Sequence, residues 1–202
     1  MPSRSPVADI LARVGATFDG RGDRWFLFGA QALAVHGIPR VTADVDVTVV
    51  LGDGQPRALV RALSEAGLEL RVADVDDFVE STGVLPFFDS ESGLALDVVL
   101  GRSGLELECL ERAIPIDVDG VTVPVITVED LVILKVLAGR PKDRDDVSAL
   151  LRRKSRPLDL DRVRKVLGLL EEALDQSDLL SAFEKLRPRS GGGTARGARR
   201  ER

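Results

Sequence analysis

Residues 25–50 read WFLFGAQALAVHGIPRVTADVDVTVV, and their pattern decides the fold. Two apolar, β-prone runs, 25–28 and 45–50, flank a short alanine-rich segment that reads as a helix opening at Gly29-Ala30. Successive side chains of a strand point to opposite faces, so Asp44, Asp46 and Thr48 share one face and Val45, Val47 and Val49 the other. Two carboxylates on one face of a buried strand repel each other and cost desolvation energy unless a cation compensates. A divalent metal is the expected cation. The glycine turn and helix start beside it are suited to holding an anion such as phosphate.

A third carboxylate is expected on a neighbouring strand. Asp97 interrupts the apolar run LALDVVL (94–100), where no solvent-facing alternation explains a lone charge. If that strand lies beside 44–50, three carboxylates converge, enough for two metal ions, and Asp97 could also serve as a general base. Asp74, Asp76, Asp77 and Asp89 sit in turn-like polar settings and read as solvated charges.

Outward from this centre, apolar residues Val7, Ile10, Leu11 and Val14 predict an amphipathic helix that ends at Gly15 and the Gly20–Asp23 cluster. Gly37 is placed as a left-handed cap for the helix after Gly29. Gly52-Asp53-Gly54 reads as a turn, and Pro56 as the first turn of a helix that stops at Gly67. Residues 68–72 read as a strand and 74–80 as a short acidic helix or turn. Residues 84–88 read as a further strand, demoted by Pro86 to an edge or bulge and forming a hairpin with 94–100. A helix over 104–113 precedes a second hairpin, 114–118 with 121–125, around Asp119-Gly120. Thr127 to Asp130 is a capping pattern opening an apolar helix, and three more helices follow at 141, 159–174 and 177–186. The chain divides into an α+β core (1–126), a helical part packed on it (127–187) and a basic tail (188–202). The tail has no apolar residue larger than alanine and reads as disordered.

Bulk properties bound the function. The 202 residues are 44% apolar and 30% charged, ordinary for a soluble globular chain. No apolar run approaches a membrane span, no signal peptide is evident, and a cytoplasmic location is the default. One cysteine, Cys109, and one histidine, His36, give neither a disulfide nor a thiolate–imidazole zinc cluster. His36 reads as a helix-end residue and Cys109 as a packing residue. The net charge of −5 is uneven: Arg187–Arg202 carries six arginines against one glutamate, leaving about −10 on the rest. An acidic body argues against broad nonspecific nucleic-acid binding, though not against one local basic groove.

FGAQALAVHGIPRVTADVDVTVV resembles the signature of the DNA-polymerase-β-like nucleotidyltransferase superfamily, a glycine turn followed after a short helix by Asp-x-Asp. With Arg40, Thr42, Asp44 and Asp46, and then ITVEDLVILKVLAGRPKDRDDV, the pattern is similar to the AbiEii-type nucleotidyltransferases of toxin–antitoxin systems and related bacterial proteins. The resemblance covers about residues 24 to 152. It implies an α+β fold, a mixed β-sheet flanked by helices, and magnesium-dependent transfer of a nucleoside monophosphate from an NTP. Two ions are expected, with manganese as a substitute, on a triad of Asp44, Asp46 and Asp97. Gly29 and Ala30 occupy the family's turn, where glycine or serine is commoner than alanine at the second position. Arg40, Thr42 and Lys135 stand where nucleotide contacts are expected, and Arg140, Lys142, Asp143 and Asp146 match the downstream run. Lys135 reads equally as a snorkelling side chain, and Asp143 and Asp146 as helix N-terminal charges.

The acceptor implied is a hydroxyl, on RNA and tRNA above all, and a cognate antitoxin is the implied protein partner. Two alternatives stay open. One is a catalytically inactive module that binds nucleotide or a partner, toward which Ala30 leans. The other is an aminoglycoside-type enzyme, whose acidic acceptor pocket would draw on Asp74, Asp76 and Asp77.

Overall fold

A computed structural model describes residues 4–52, 55–153 and 157–188. The expected turn at Asp53-Gly54 and the basic tail from Arg189 onward lie outside the described residues.

The chain opens with α1 (Pro6–Arg21), β1 (Arg24–Phe28), α2 (Gly29–Val35) and β2 (Asp44–Val50). Then come α3 (Pro56–Glu65), β3 (Glu69–Leu70), α4 (Val75–Thr82), β4 (Val84–Asp89) and β5 (Leu94–Leu100). Helix α5 (Gly104–Arg112) leads into β6 (Ile114–Val118) and β7 (Val121–Val125). Helices α6 (Val128–Ala138), α7 (Pro141–Arg152), α8 (Leu160–Leu174) and α9 (Leu179–Leu186) complete the described chain. The expected mixed α+β architecture is present.

The strands form one seven-stranded sheet in the order β3-β4-β5-β2-β1-β7-β6. Strand β2 runs parallel to β5 and β1 parallel to β7, while the other neighbours are antiparallel. Residues directly opposite in a ladder share a face. Val49 opposes Trp25 and Val47 opposes Leu27, so the valine face of β2 is continuous with that of β1. Helix α1 lies on this face, with the backbone of Gly15 against the Trp25 ring. The other face carries Asp46 opposite Phe28 on one side and Asp97 on the other. Leu131, Ile133, Val147, Leu167 and Phe183 of the C-terminal helices join the same buried cluster as the strand residues.

Several elements differ from the sequence expectation. Helix α1 runs through Gly15 and closes only at Gly22, whose φ of 72° gives the left-handed cap. A glycine inside a helix costs about 1 kcal/mol relative to alanine. Here a Cβ would lie 3.1 Å from the Trp25 ring, so Gly15 is a packing contact and not a stop. The strand expected at 68–72 shrinks to the two residues of β3. Pro86 does not make β4 an edge strand, since β4 pairs with both β3 and β5. A strand residue's N–H and C=O point to the same side. The Pro86 carbonyl accepts from the Arg71 amide at 2.9 Å, so the missing N–H also faces Arg71, at the end of the short β3–β4 pairing, and leaves the β4–β5 ladder intact. Asp159 caps α8, accepting from the Arg162 amide, and α9 opens at Leu179, two residues later than expected.

Candidate active site

Asp46 is the centre of the site. It lies on β2 between Phe28 of β1 and Asp97 of β5, with Asp44 two residues earlier on the same face. Burial pushes its carboxyl up to about 6, reinforced by the charges of Asp97 and Asp44. The Ala30 amide, which donates to it, and the Lys135 charge work the other way. Asp97 is also raised, chiefly by burial, with the Arg71 guanidinium lowering it and Asp44 raising it. These carboxylates therefore repel one another at a half-buried place, as expected of a cation site.

Gly29 exists for Asp46. Its φ is +67°, and a Cβ there would stand 2.0 Å from the Asp46 Oδ2. The turn into α2 can thus bring the Ala30 N–H onto the carboxylate only without a side chain at 29. The amide expected to hold phosphate is engaged by Asp46 instead. Gly29→Ala is expected to cost at least about 1–2 kcal/mol through the left-handed backbone alone. Urea unfolding checks this, and a loss under about 0.5 kcal/mol would mean that the turn relaxes freely. Thr42 likewise serves the aspartates, its hydroxyl accepting from the Asp44 amide at 3.2 Å.

A cavity of about 720 Å³ opens above this face. Its lining includes every residue read from the sequence as a site candidate: Gly29, Ala30, Arg40, Thr42, Asp44, Asp46, Asp97, Lys135, Lys142, Asp143 and Asp146. Glu106 and Arg140 also line it. Asp74, Asp76 and Asp77 do not. Asp74 caps α4 and Asp76 pairs with Arg57.

The wall opposite the aspartates is a paired-charge network. Lys135 on α6 is buried and donates to Asp143 at 3.1 Å and Asp146 at 2.8 Å, both on α7. Arg140 donates to Asp143, and Arg40 stands 3.5 Å from Asp146. Burial acts to raise the Asp143 carboxyl, but the hydrogen bonds from Arg140 and Lys135 outweigh it and hold it below the ordinary range. Lys135 is therefore not a snorkelling surface side chain. Asp143 lies in the first turn of α7, as its reading as a helix N-terminal charge expects, whereas Asp146 lies beyond that turn and the N-cap position itself is Arg140. Two acids partly neutralise this wall, which keeps an excess of one positive charge across Arg40, Lys135, Arg140, Asp143 and Asp146. Lys142 adds an exposed cation beside it.

The three-carboxylate centre is not assembled in this conformation. Among the described residues no three His, Cys, Asp or Glu side chains are grouped to hold one metal ion. Asp97 makes an ion pair with Arg71. The donor set still fits magnesium, which is usually held by one or two carboxylates together with substrate phosphates. Asp44 and Asp46 meet that need.

Sequence reasoning missed Arg71. Its only signal is positional: it follows a two-residue strand whose register no alternation reveals. Glu106 was missed as well. It accepts from the Arg102 and Ser103 amides and so fixes the start of α5 beside the cavity. His36 ends α2 with a ring nitrogen 2.7 Å from the Ile126 carbonyl, and Cys109 is buried with its thiol pushed up to about 12, mainly by burial.

The raised Asp46 carboxyl has a consequence for stability. A folded-state value above the ordinary 3.8 means that the native protein binds this proton more tightly than the unfolded chain. Metal-free protein should lose stability through this group as pH rises from about 4 to about 6. Comparing urea midpoints of wild type and Asp46→Asn isolates the effect. The difference in favour of the variant should grow across that window and then level off.

Comparisons with known proteins agree with this architecture. The family described as "Nucleotidyltransferase of unknown function (DUF6036)" matches residues 17–186. Among curated proteins, none matches the sequence. A nucleotidyltransferase-like protein from Paracoccidioides brasiliensis superposes with a TM-score of 0.52 at 16% identity, covering 91% of this chain and 95% of its own. The lincosamide antibiotic adenylyltransferase LnuA, in a lincomycin-bound structure, superposes with a TM-score of 0.50 at 14% identity, covering 71% of this chain and 95% of its own. Among the described residues no helix is long and apolar enough to cross a membrane.

Proposed function

Since the chain belongs to this nucleotidyltransferase family, we propose that it is an active, metal-dependent enzyme that transfers a nucleoside monophosphate from an NTP to an acceptor hydroxyl. One observation carries the reading. Asp46 stands between Asp44 and Asp97 with its charge poorly compensated, at the floor of a cavity whose facing wall keeps excess positive charge. Such polarity suits a metal-bound triphosphate better than a neutral ligand.

Asp44 and Asp46 would hold magnesium, with Asp97 as the third ligand once freed from Arg71. When bound, the metal supplies Lewis-acid stabilisation of charge on the phosphoryl oxygens and a template for in-line attack. The protein's own groups do the positioning. Ala30 fixes the Asp46 carboxylate through its amide, and Gly29 leaves the room for that contact. Arg40, Lys142 and Arg140 face the cavity as cations for the triphosphate. Lys135 lends charge to that wall while holding α6 and α7 together. Preorganised charge of this kind is the main catalytic term in phosphoryl-type transfer. Asp97 is also the carboxylate available as general base for the attacking hydroxyl.

RNA, and tRNA first, is the proposed acceptor, with a toxin role and a cognate antitoxin as partner. These finer assignments rest on the AbiEii resemblance of residues 24–152. The test incubates the full chain with magnesium, each α-labelled NTP, and separate pools of tRNA, other RNA, protein and aminoglycosides. Label should pass to tRNA. Label on aminoglycoside alone would replace the acceptor, and label on none of the pools would favour the non-catalytic alternative.

A further inference from the structure

Among the described residues, Arg71 is the cation that forms an ion pair with an aspartate of the proposed metal triad, and the sheet register explains how. Its amide donates to the Pro86 carbonyl at 2.9 Å, which extends the β3–β4 ladder by one row. That row continues from Pro86 to Asp97 and then to Asp46. Opposed residues share a face, so Arg71 and Asp97 point the same way, two strands apart, roughly 10 Å at the usual strand spacing. An extended arginine side chain covers that distance. The compact ring of Pro86 leaves the lane open where a longer side chain would fill it.

We infer that Arg71 is a positioning residue that occupies Asp97 in place of metal and must yield it when metal binds, so that Arg71 sets the metal concentration the protein requires. The inference rests on reading Asp44, Asp46 and Asp97 as the metal site. A guanidinium and a divalent cation on one carboxylate repel each other and divide its charge, so each weakens the other's hold. The exchange is also easy. The Arg71 and Asp97 side chains are 41% and 37% exposed, and ion pairs at such positions are weak. Arg71 thereby offsets the charge of Asp97 alone in the metal-free protein without closing the cluster to metal.

The experiment titrates manganese into the full chain and follows the free-ion signal by electron paramagnetic resonance, which reads binding without any turnover. Wild type, Arg71→Ala, Asp46→Asn, Asp97→Asn and the Arg71→Ala/Asp97→Asn pair are compared, each with its fold checked by circular dichroism. Arg71→Ala should bind manganese roughly two- to fivefold more tightly than wild type, the range expected for loss of a competing exposed ion pair. In the Asp97→Asn background the same substitution should change nothing. Unchanged or weaker binding by Arg71→Ala, with binding still lost in Asp46→Asn, overturns the role of Arg71 and leaves the metal site standing. A gain that persists without Asp97 also overturns it, as a general charge effect. Wild-type protein that binds no manganese, or binds it as well as Asp46→Asn does, overturns the inference together with the site.

Discussion

Asp46→Asn is expected to abolish the proposed nucleotidyl transfer, by about three orders of magnitude or more, and to leave the protein at least as stable as wild type at neutral pH. The two halves of this expectation have one cause. The carboxylate is half-buried beside two others and is pushed up to about 6, so removing its charge relieves repulsion in the folded state. The amide oxygen of asparagine can still accept from the Ala30 N–H, which keeps the turn at Gly29 intact. A metal ligand supplies several kcal/mol of stabilisation to charge developing on phosphoryl oxygens, and each 1.36 kcal/mol is a tenfold change in rate. Paired measurements of transfer rate and urea midpoint check both halves. A variant that loses activity only because it unfolds would show that Asp46 is structural.

The second large effect falls on stability. Lys135→Met should cost about 3 kcal/mol, at the lower end of the range for breaking a buried ion pair. The substitution nearly conserves volume, so packing is not the source. What it leaves behind is Asp143, fully buried, and Asp146, nearly so, each short of a close partner. Arg140 and Arg40 still reach these two acids, which is why the lower end applies. Adding Asp146→Asn to Lys135→Met should recover part of the loss, giving a clear non-additivity in the cycle. A loss within about 0.5 kcal/mol would instead put Lys135 among ordinary surface residues.

Much of this site was legible because strand geometry is strict. The period of two placed Asp44 and Asp46 on one face, and the lone charge in LALDVVL marked Asp97. The ladder then sets Asp97 directly opposite Asp46. The Asp119-Gly120 hairpin and the Thr127 cap were equally readable, since both are local and depend on few residues. What escaped is non-local. The direction of the Ala30 amide depends on how α2 returns over β2, and the phosphate role expected for it gave way to Asp46. The pairing of Lys135 with two acids depends on how α6 packs against α7. Arg71 reaches Asp97 only because β3 and β4 take one particular register, which two residues of strand cannot announce. Gly15 misled for the same reason: its contact with Trp25 is tertiary, so a local rule read it as a helix stop.

Parallel reactions with α-labelled and γ-labelled NTP test the central claim most directly, each run with magnesium and acceptor RNA, on wild type and on Asp46→Asn. Nucleotidyl transfer predicts that the α-label becomes covalently attached to the acceptor while the γ-label leaves as pyrophosphate, in wild type only. Transfer of the γ-label, or equal transfer of the α-label by wild type and Asp46→Asn, would contradict it.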